Sequence, residues 1–247
     1  MTPSRKTSIG AGGLLVIATV AALAAAAVQP GLTGAGYLID VGDHPQRLAA
    51  AALLYLVAAA GSVGIAIVLY PMLATVNATW AVGAVVFRTI EAVMYTAAVV
   101  NLLNLRNLGA QATVAASGSR PSAKALADTV LSAHDHANLI AVFAFSLGVG
   151  MYYALLYRAR LVPRWLSGWG ITGAALIFAA CLMALFADTP VTGYTLLIAP
   201  IAVQEMVFAA WLLFKGFARG LQESPRVSTA ARETAVALAF SAATSHR

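Results

Sequence analysis

The sequence predicts an all-α integral membrane protein, a polytopic bundle of six transmembrane helices with both chain termini in the cytoplasm. Hydrophobic residues make up 61% of the 247 positions and charged residues only 10%, whereas water-soluble domains carry roughly a quarter charged residues. The mean hydropathy is +0.84. The apolar residues lie in runs of about 20 or more, which is the length needed to cross a ~30 Å hydrocarbon core. An ordinary soluble domain is therefore excluded.

Six apolar runs are bounded by charged and turn-forming residues, and each predicts a membrane span. Lipid offers no hydrogen-bond partner to a sheet edge, and the runs lack the period-2 alternation of barrel strands, so all six are expected to be helices. In chain order the spans are Ser8 to Val28, Arg47 to Leu73, Ala78 to Leu105, Val130 to Tyr157, Trp165 to Ala187 and Thr192 to Gly216.

The first span also resembles a signal peptide, because Arg5 and Lys6 precede an alanine-rich run. The run is longer than the roughly 7 to 15 residues of a signal core, so we expect it to be retained as a helix. Between the spans, Pro30 to His44 and Arg106 to Asp128 are predicted to be exposed loops. Residues 1–216 form the predicted transmembrane domain, and residues 217–247 form a cytoplasmic tail that is partly disordered or a surface helix.

The orientation follows from basic residues at the ends of the spans, since cytoplasmic loops are enriched in Lys and Arg. Most of them fall on the side that holds the two termini, which predicts cytoplasmic termini. The basic residues of this side are Arg5, Lys6, Arg158, Arg160, Arg164, Lys215, Arg219 and Arg226.

Several function classes are excluded by the same composition. The single cysteine, Cys181, lies within an apolar run, which excludes a disulfide framework and a cysteine-built zinc site. The net charge of +6 comes from residues at span ends and not from a basic patch with interleaved aromatics, so no nucleic-acid partner is expected. The predicted partners are the lipid bilayer and a lipophilic small molecule.

Ionisable side chains within a span are costly, so each is a candidate for function. Arg88 and Glu91 are three residues apart in the third span and share a helical face. Glu205 lies in the sixth span at a similar depth, about 20 Å from its outer end. We predict that these three form one cluster near the midplane and are the catalytic residues, with one Arg facing two carboxyls. The competing interpretation is a structural ion pair.

A second set of residues is predicted to line a pocket that opens outward from this cluster. It combines polar groups in the outer half of the bundle with aromatic groups one or two turns from the two glutamates. The predicted substrate-binding residues are His134, Asp135, Asn138, Tyr95, Asn101, Phe208 and Trp211. A metal site of His134, Glu91 and Glu205 is the alternative; on balance no metal and no cofactor is expected.

Several stretches of the sequence resemble a bacterial six-helix membrane family known as domain of unknown function 4386. They are Phe87 to Glu91, His134-Asp135, Leu161 to Gly168 and the segment from Glu205 to Gly216. The resemblance covers roughly Ile9 to Gly216. It implies the six-helix fold, a multi-pass location in the bacterial cytoplasmic membrane, and a polar core of Arg88, Glu91, His134, Asp135 and Glu205. It implies no particular activity.

Three functions stay open at this stage. The leading hypothesis is a membrane-embedded enzyme in which Glu91 and Glu205 serve as acid and base and Arg88 sets which of them is ionised. Such an enzyme would isomerise or cyclise a prenyl-type substrate, a reaction that needs a buried acid, aromatic walls and exclusion of water. The alternatives are a proton-coupled transporter and a structural or regulatory membrane subunit.

Overall fold

The computed structural model describes residues 3–34, 36–114 and 120–218, and these ranges contain seven α-helices, one 3-10 helix and no strand. The helices are α1 (Pro3–Val28), α2 (Tyr37–Asp43), α3 (Pro45–Leu73), α4 (Ala78–Val114), α5 (Arg120–Ala159), α6 (Arg164–Ala187) and α7 (Thr195–Phe214), with the 3-10 helix at Val191–Tyr194. The predicted tail after residue 218 lies outside the described residues.

The six long helices carry the six predicted spans. Each of α1, α3, α4, α5 and α6 is long and apolar enough to cross a membrane, and so is the segment of the 3-10 helix and α7. The predicted all-α fold with six spans is therefore confirmed. The short helix α2 is not a span, because seven residues reach only about 10 Å.

The spans form a closed ring in which each packs against its neighbours in the chain. The order is α1, α3, α4, α5, α6 and α7, and α7 returns to α1. Close approach of α1 and α3 depends on Gly61, where a Cβ atom would lie 2.9 Å from the Cβ of Ala18. Large buried side chains, among them Leu15, Leu69 and Phe208, form one apolar core inside the ring.

Side chains at the start of α1 form hydrogen bonds with the end of α7 and so connect the first and last spans of the ring. Arg5 Nη2 donates to the carbonyl oxygen of Leu213 at 2.6 Å, and Nη1 donates to that of Leu212 at 3.4 Å. The backbone N–H of Phe217 donates to Ser8 Oγ at 3.3 Å. The two Arg5 nitrogens satisfy carbonyls of the last helical turn, which have no partner within α7. The first and last spans therefore begin and end on one side, here named the terminal side.

Much of each predicted loop is helical, and for these helical parts the prediction of exposed loops is wrong, whereas residues 30–34 are not helical and residues 115–119 lie outside the described part of the chain. The first contains α2, and the second contains the end of α4 and the start of α5. At 1.5 Å per residue, α4 is about 55 Å long and α5 about 60 Å, well beyond the ~30 Å hydrocarbon core. The reason is a second apolar core that α2 shares with the long helices. It contains Tyr37, Leu38, Val41, Leu48, Ala52, Val99, Leu102, Leu105, Ala112 and Ala127.

A polar contact fixes α2 against α5. The Tyr37 hydroxyl donates to Asp128 Oδ1 at 2.7 Å, and Lys124 Nζ pairs with Asp128 Oδ2 at 2.7 Å. Burial of the ring and the neighbouring Asp128 carboxylate both raise the pKa of Tyr37, which keeps its hydroxyl protonated as a donor.

The crossing of α2 and α4 leaves no room for a side chain at Gly109. A Cβ atom there would lie 2.8 Å from the backbone nitrogen of Gly42 and 3.0 Å from the carbonyl oxygen of Leu38. Replacing Gly109 with Val is expected to push α2 away from α4 at a cost of about 1–3 kcal/mol. Hydrogen–deuterium exchange of the α2 amides should become faster. The control is Gly13→Val, since a Cβ atom at Gly13 meets nothing within 4 Å. Unchanged protection of α2 in the Gly109 variant would contradict this account.

Candidate functional site

Helix α4 places an ion pair in the interior of the ring. Arg88 Nη1 lies 3.0 Å from Glu91 Oε2, and each residue is only 3% exposed. The spacing of three residues puts both side chains on one face of α4, as the sequence predicted. Arg88 lies ten residues after the start of α4, or about 15 Å along the helix, which corresponds to the middle of a membrane span.

Helix α5 covers the Arg88 side chain. A Cβ atom at Gly148 would lie 3.2 Å from Arg88 Cγ and Cδ, so this glycine lets the aliphatic part of Arg88 lie against the α5 backbone. The guanidinium carbon is 4.8 Å from the centre of the Phe145 ring, a cation–π distance. Arg88 is thus held between a carboxylate, an aromatic ring and a helix backbone.

Helix α7 brings a second carboxyl to the same place. Glu205 lies within electrostatic reach of Arg88 and of Glu91. Like Arg88, it is ten residues after the start of its helix. The structure therefore brings together the three residues that the sequence placed at one depth, with a single cation facing two carboxyls.

Four further polar residues complete this group, and the sequence analysis assigned no role to them. Ser62 of α3 faces Glu91, the Tyr152 hydroxyl faces Glu205, and Tyr153 adjoins both Tyr152 and Gln204. We call the whole set the central polar cluster. Its members are Ser62, Arg88, Glu91, Tyr152, Tyr153, Gln204 and Glu205. They come from α3, α4, α5 and α7.

Within the described part of the chain, most polar atoms of this cluster have no partner at both the distance and the angle of a full hydrogen bond. Arg88 Nη1 and Glu91 Oε2 form the ion pair, yet their alignment falls short of a hydrogen bond. Gln204 Nε2 does donate to the carbonyl oxygen of Leu166 at 3.1 Å. The buried atoms without a full hydrogen bond are Ser62 Oγ, Arg88 Nε and Nη1, Glu91 Oε2, Tyr152 Oη, Tyr153 Oη, Gln204 Oε1 and Glu205 Oε1. So many in one interior are unusual, since nearly all buried polar atoms are paired.

A family model described as "Domain of unknown function (DUF4386)" matches residues 10–216, which is most of the described bundle. The chain belongs to the DUF4386 family. No curated protein and no solved structure matches it. The family match and the six apolar helices together identify a multi-pass integral membrane protein.

Two of the predicted substrate-binding residues adjoin the central polar cluster of the DUF4386 chain. Phe208 is fully buried one turn after Glu205, and its ring centre lies 5.5 Å from that of Tyr153. Tyr95 is partly buried one turn after Glu91 and within electrostatic reach of it. Both rings lie where the sequence analysis expected aromatic walls.

Three other predicted binding residues lie elsewhere. The His134 ring nitrogen Nδ1 is 2.8 Å from the carbonyl oxygen of Ala98, two turns or about 10 Å beyond Glu91 along α4. Asn101 donates to the Ala97 carbonyl of its own helix. Trp211 packs edge-on against Trp165, with ring centres 6.5 Å apart, near the terminal side. Sequence gives depth along a span but not the contacts around it, so it predicts one pocket for residues that the structure places apart.

Asp135 lines a separate cavity of about 250 Å³ between α5 and the end of α6. Its other polar walls include Asp128, His136 and Asp188, and His136 Nε2 lies 3.8 Å from Asp188 Oδ1. Asn138, the remaining predicted residue, is partly buried on α5. The proposed polar pocket is thus divided into an interior cluster and an outer cavity.

The alternative metal set does not come together in the DUF4386 bundle. Among the described residues, no three His, Cys, Asp or Glu side chains converge as ligands. His134 points to a backbone carbonyl of α4, while Glu91 and Glu205 face Arg88.

Proposed function

We propose that this DUF4386 protein binds a lipophilic small molecule from the bilayer and holds its polar head in the central polar cluster. One observation carries the proposal, the convergence in one interior of eight buried polar atoms that lack hydrogen bonds of good geometry, two of which, Arg88 Nη1 and Glu91 Oε2, are paired with each other as ions. An unsatisfied buried polar group costs about 1–3 kcal/mol. A guest that both donates and accepts hydrogen bonds would satisfy several of these atoms together. A hydroxyl- or carbonyl-bearing head group fits this mixture of donors and acceptors.

The two carboxyls give the cluster acid and base chemistry. One Arg88 charge balances one carboxylate, so the other carboxyl is expected to keep its proton in a low-dielectric interior. The protonated carboxyl of Glu91 or Glu205 gives its proton to a double bond of a prenyl-type chain. The ionised carboxyl then removes a proton from a neighbouring carbon, which completes an isomerisation or cyclisation. The rings of Tyr153 and Phe208 would stabilise the positive charge that develops between the two steps.

The proposed setting is a bacterial cytoplasmic membrane with both termini in the cytoplasm. It is supported by the positive charge of the terminal side, where Lys and Arg residues cluster at the ends of α1, α5, α6 and α7. In the described chain these are Arg5, Lys6, Arg158, Arg160, Arg164 and Lys215. Cytoplasmic loops carry such an excess of basic residues.

Proton-coupled transport is the second candidate. The cluster draws Ser62, Arg88 and Glu91 from the first three spans and its other members from the last three. Movement of one half of the chain against the other would open the cluster, as in transporters whose binding sites lie between repeats near the midplane. Transport then predicts a proton-dependent flux in proteoliposomes, whereas catalysis predicts a changed product.

The test is native mass spectrometry of protein purified in mild detergent, followed by identification of bound small molecules. Glu91→Gln and Glu205→Gln keep the shape of each side chain and remove its charge. We expect the unmodified protein to retain an isoprenoid or related lipophilic compound and each variant to lose most of it. Asp43→Asn is the matched control, because Asp43 is exposed at the end of α2, away from the central polar cluster and the outer cavity.

Equal retention by the two Gln variants and the unmodified protein would contradict the proposal. So would folded, unmodified protein that carries no small molecule even after supply of isoprenoid extracts. If the Gln variants lose thermal stability and nothing else, the cluster is a structural ion-pair network and the protein is a structural subunit.

A further inference from the structure

Two consecutive tyrosines of α5 lie between the central carboxyls and the terminal side. Tyr152 and Tyr153 are buried, with 1% and 0% exposure, and their ring centres are 4.4 Å apart. They lie seven and six residues before the end of α5 at Ala159. That corresponds to about 10 Å from the terminal end of the helix.

The tyrosine hydroxyls extend the polar group from Glu205 in one direction. The Tyr152 hydroxyl faces the Glu205 carboxyl, and Tyr153 adjoins Tyr152 on one side and Gln204 on the other. Gln204 in turn donates to the carbonyl oxygen of Leu166 at 3.1 Å. Leu166 is in the first turn of α6, which begins at Arg164 on the terminal side. Polar groups therefore run from the midplane carboxyl to the first turn of a span.

Neighbouring helices fix the position of the Tyr153 ring. A Cβ atom at Gly170 of α6 would lie 2.6 Å from ring atoms of Tyr153, so the ring rests directly on the α6 backbone. The Phe208 ring of α7 meets it edge-on at 5.5 Å. With α5 itself, three helices hold the ring, which keeps the hydroxyls of the two tyrosines at a constant separation.

We propose that Tyr152 and Tyr153 relay protons between Glu205 and water on the terminal side of the bundle. The inference rests on the proposed function, in which Glu205 gains and loses a proton. A hydroxyl suits this task because it donates one hydrogen bond while it accepts another. Arg88 and Glu91 also face the pair, so any build-up of a tyrosinate would add an anion beside the glutamates.

The transfer is therefore concerted and leaves both tyrosines neutral. The O–H bond of Tyr152 breaks as its proton passes to the Glu205 carboxylate, and the Tyr153 proton moves to the Tyr152 oxygen. A hydronium ion from the terminal side returns a proton to Tyr153 and leaves as a water molecule. The net change is one proton moved from water to Glu205. Gln204 acts as a positioning residue that holds the end of the relay against α6.

Infrared spectroscopy measures this exchange without a known substrate. A protonated carboxyl has its own C=O stretching band, which shifts when the proton is replaced by deuterium. The band is assigned by its loss in Glu205→Gln or Glu91→Gln, and its shift is followed after transfer of purified protein into D₂O. We expect Tyr152→Phe and Tyr153→Phe to slow the shift by about 10²-fold, the lower end of what a positioned proton donor contributes.

Tyr157→Phe is the matched control, because Tyr157 is exposed on the same helix one turn after Tyr153. It is expected to leave the exchange rate unchanged. The two Phe variants are expected to fold, since each keeps its buried ring and the ring contact between residues 152 and 153.

The outcomes separate the relay from the proposed function. If the unmodified protein has a carboxyl band that the Gln variants remove, and both Phe variants exchange at the unmodified rate, the relay is overturned and the proposed function stands. If no protonated-carboxyl band exists, the acid in the proposed function is absent and both inferences fail. Slow exchange in the Phe variants, with normal exchange in Tyr157→Phe, supports the relay.

Discussion

Replacing Arg88 with Met is expected to lower the free energy of unfolding by about 3–5 kcal/mol, the usual cost of removing one partner of a buried ion pair. Arg88 and Glu91 are each 3% exposed and 3.0 Å apart, and Glu205 lies within electrostatic reach of the same guanidinium. Without Arg88, two carboxyls face each other in the membrane interior with no cation beside them. Unfolding is carried out in mixed micelles and is monitored by a spectroscopic signal.

Two further variants test the electrostatic origin of this loss. Arg158→Met removes an exposed Arg at the end of α5 and is expected to change stability by less than about 1 kcal/mol. Adding Glu91→Gln to Arg88→Met removes a carboxyl that no longer has a cation beside it. The double variant is expected to recover part of the lost free energy of unfolding. The Arg88 variant should also regain stability as the pH is lowered, because protonation neutralises the remaining carboxylates. An Arg88 variant as stable as Arg158→Met would mean that no carboxylate in the cluster depends on the Arg88 charge for its stability.

The sequence was sufficient to predict the six spans because the bilayer imposes a length and a composition on them. It also predicted that Arg88, Glu91 and Glu205 meet, for two physical reasons. Arg88 and Glu91 are three residues apart and therefore share one face of α4. The rise of 1.5 Å per residue places Glu205 of α7 at a similar depth in the membrane. Charged residues at one depth in lipid have few partners available except each other.

The rest of the cluster gave no comparable signal. Tyr152 and Tyr153 lie in an apolar run in which aromatic residues are ordinary, and Ser62 is a small residue of the kind common between packed helices. Only the contacts show that they belong to the cluster, above all the close approach of the α6 backbone at Gly170 to the Tyr153 ring. A weak signal existed in Gln204, an uncharged polar residue next to Glu205 at the same depth.

Hydropathy describes how a segment meets lipid and not how it folds beyond the bilayer. The segment after Leu105 is polar, which predicts a loop. In the structure α4 continues to Val114, with Ala112 and Gly109 turned toward α2. Depth along a span places His134 and Glu91 in the same outer half of the bundle but does not show which groups they contact. The His134 ring meets Ala98, two turns beyond Glu91 along α4.

Tyr153→Ala is expected to destabilise the bundle by about 3–5 kcal/mol, the range for deletion of a large buried aromatic side chain. The ring is fully buried and touches three helices, through Tyr152 on α5, Gly170 on α6 and Phe208 on α7. Lipid tails are as apolar as the side chains of the spans, so the hydrophobic effect does not drive the spans to associate. Packing contacts of this kind therefore stabilise the ring of helices. The loss is measured by the same micelle unfolding experiment.

Tyr153→Phe is the decisive comparison, because it keeps the ring and removes only the hydroxyl. The Tyr153 hydroxyl adjoins only Tyr152 and Gln204, so its removal is expected to lower stability by no more than about 0.5–1.5 kcal/mol, the net contribution of one hydrogen bond. Gly170→Ala, whose new methyl would press on the same ring, is expected to cost about 1–3 kcal/mol. If Tyr153→Phe were as damaging as Tyr153→Ala, the hydroxyl would be a structural anchor, and its place beside Gln204 would be explained without any proton transfer.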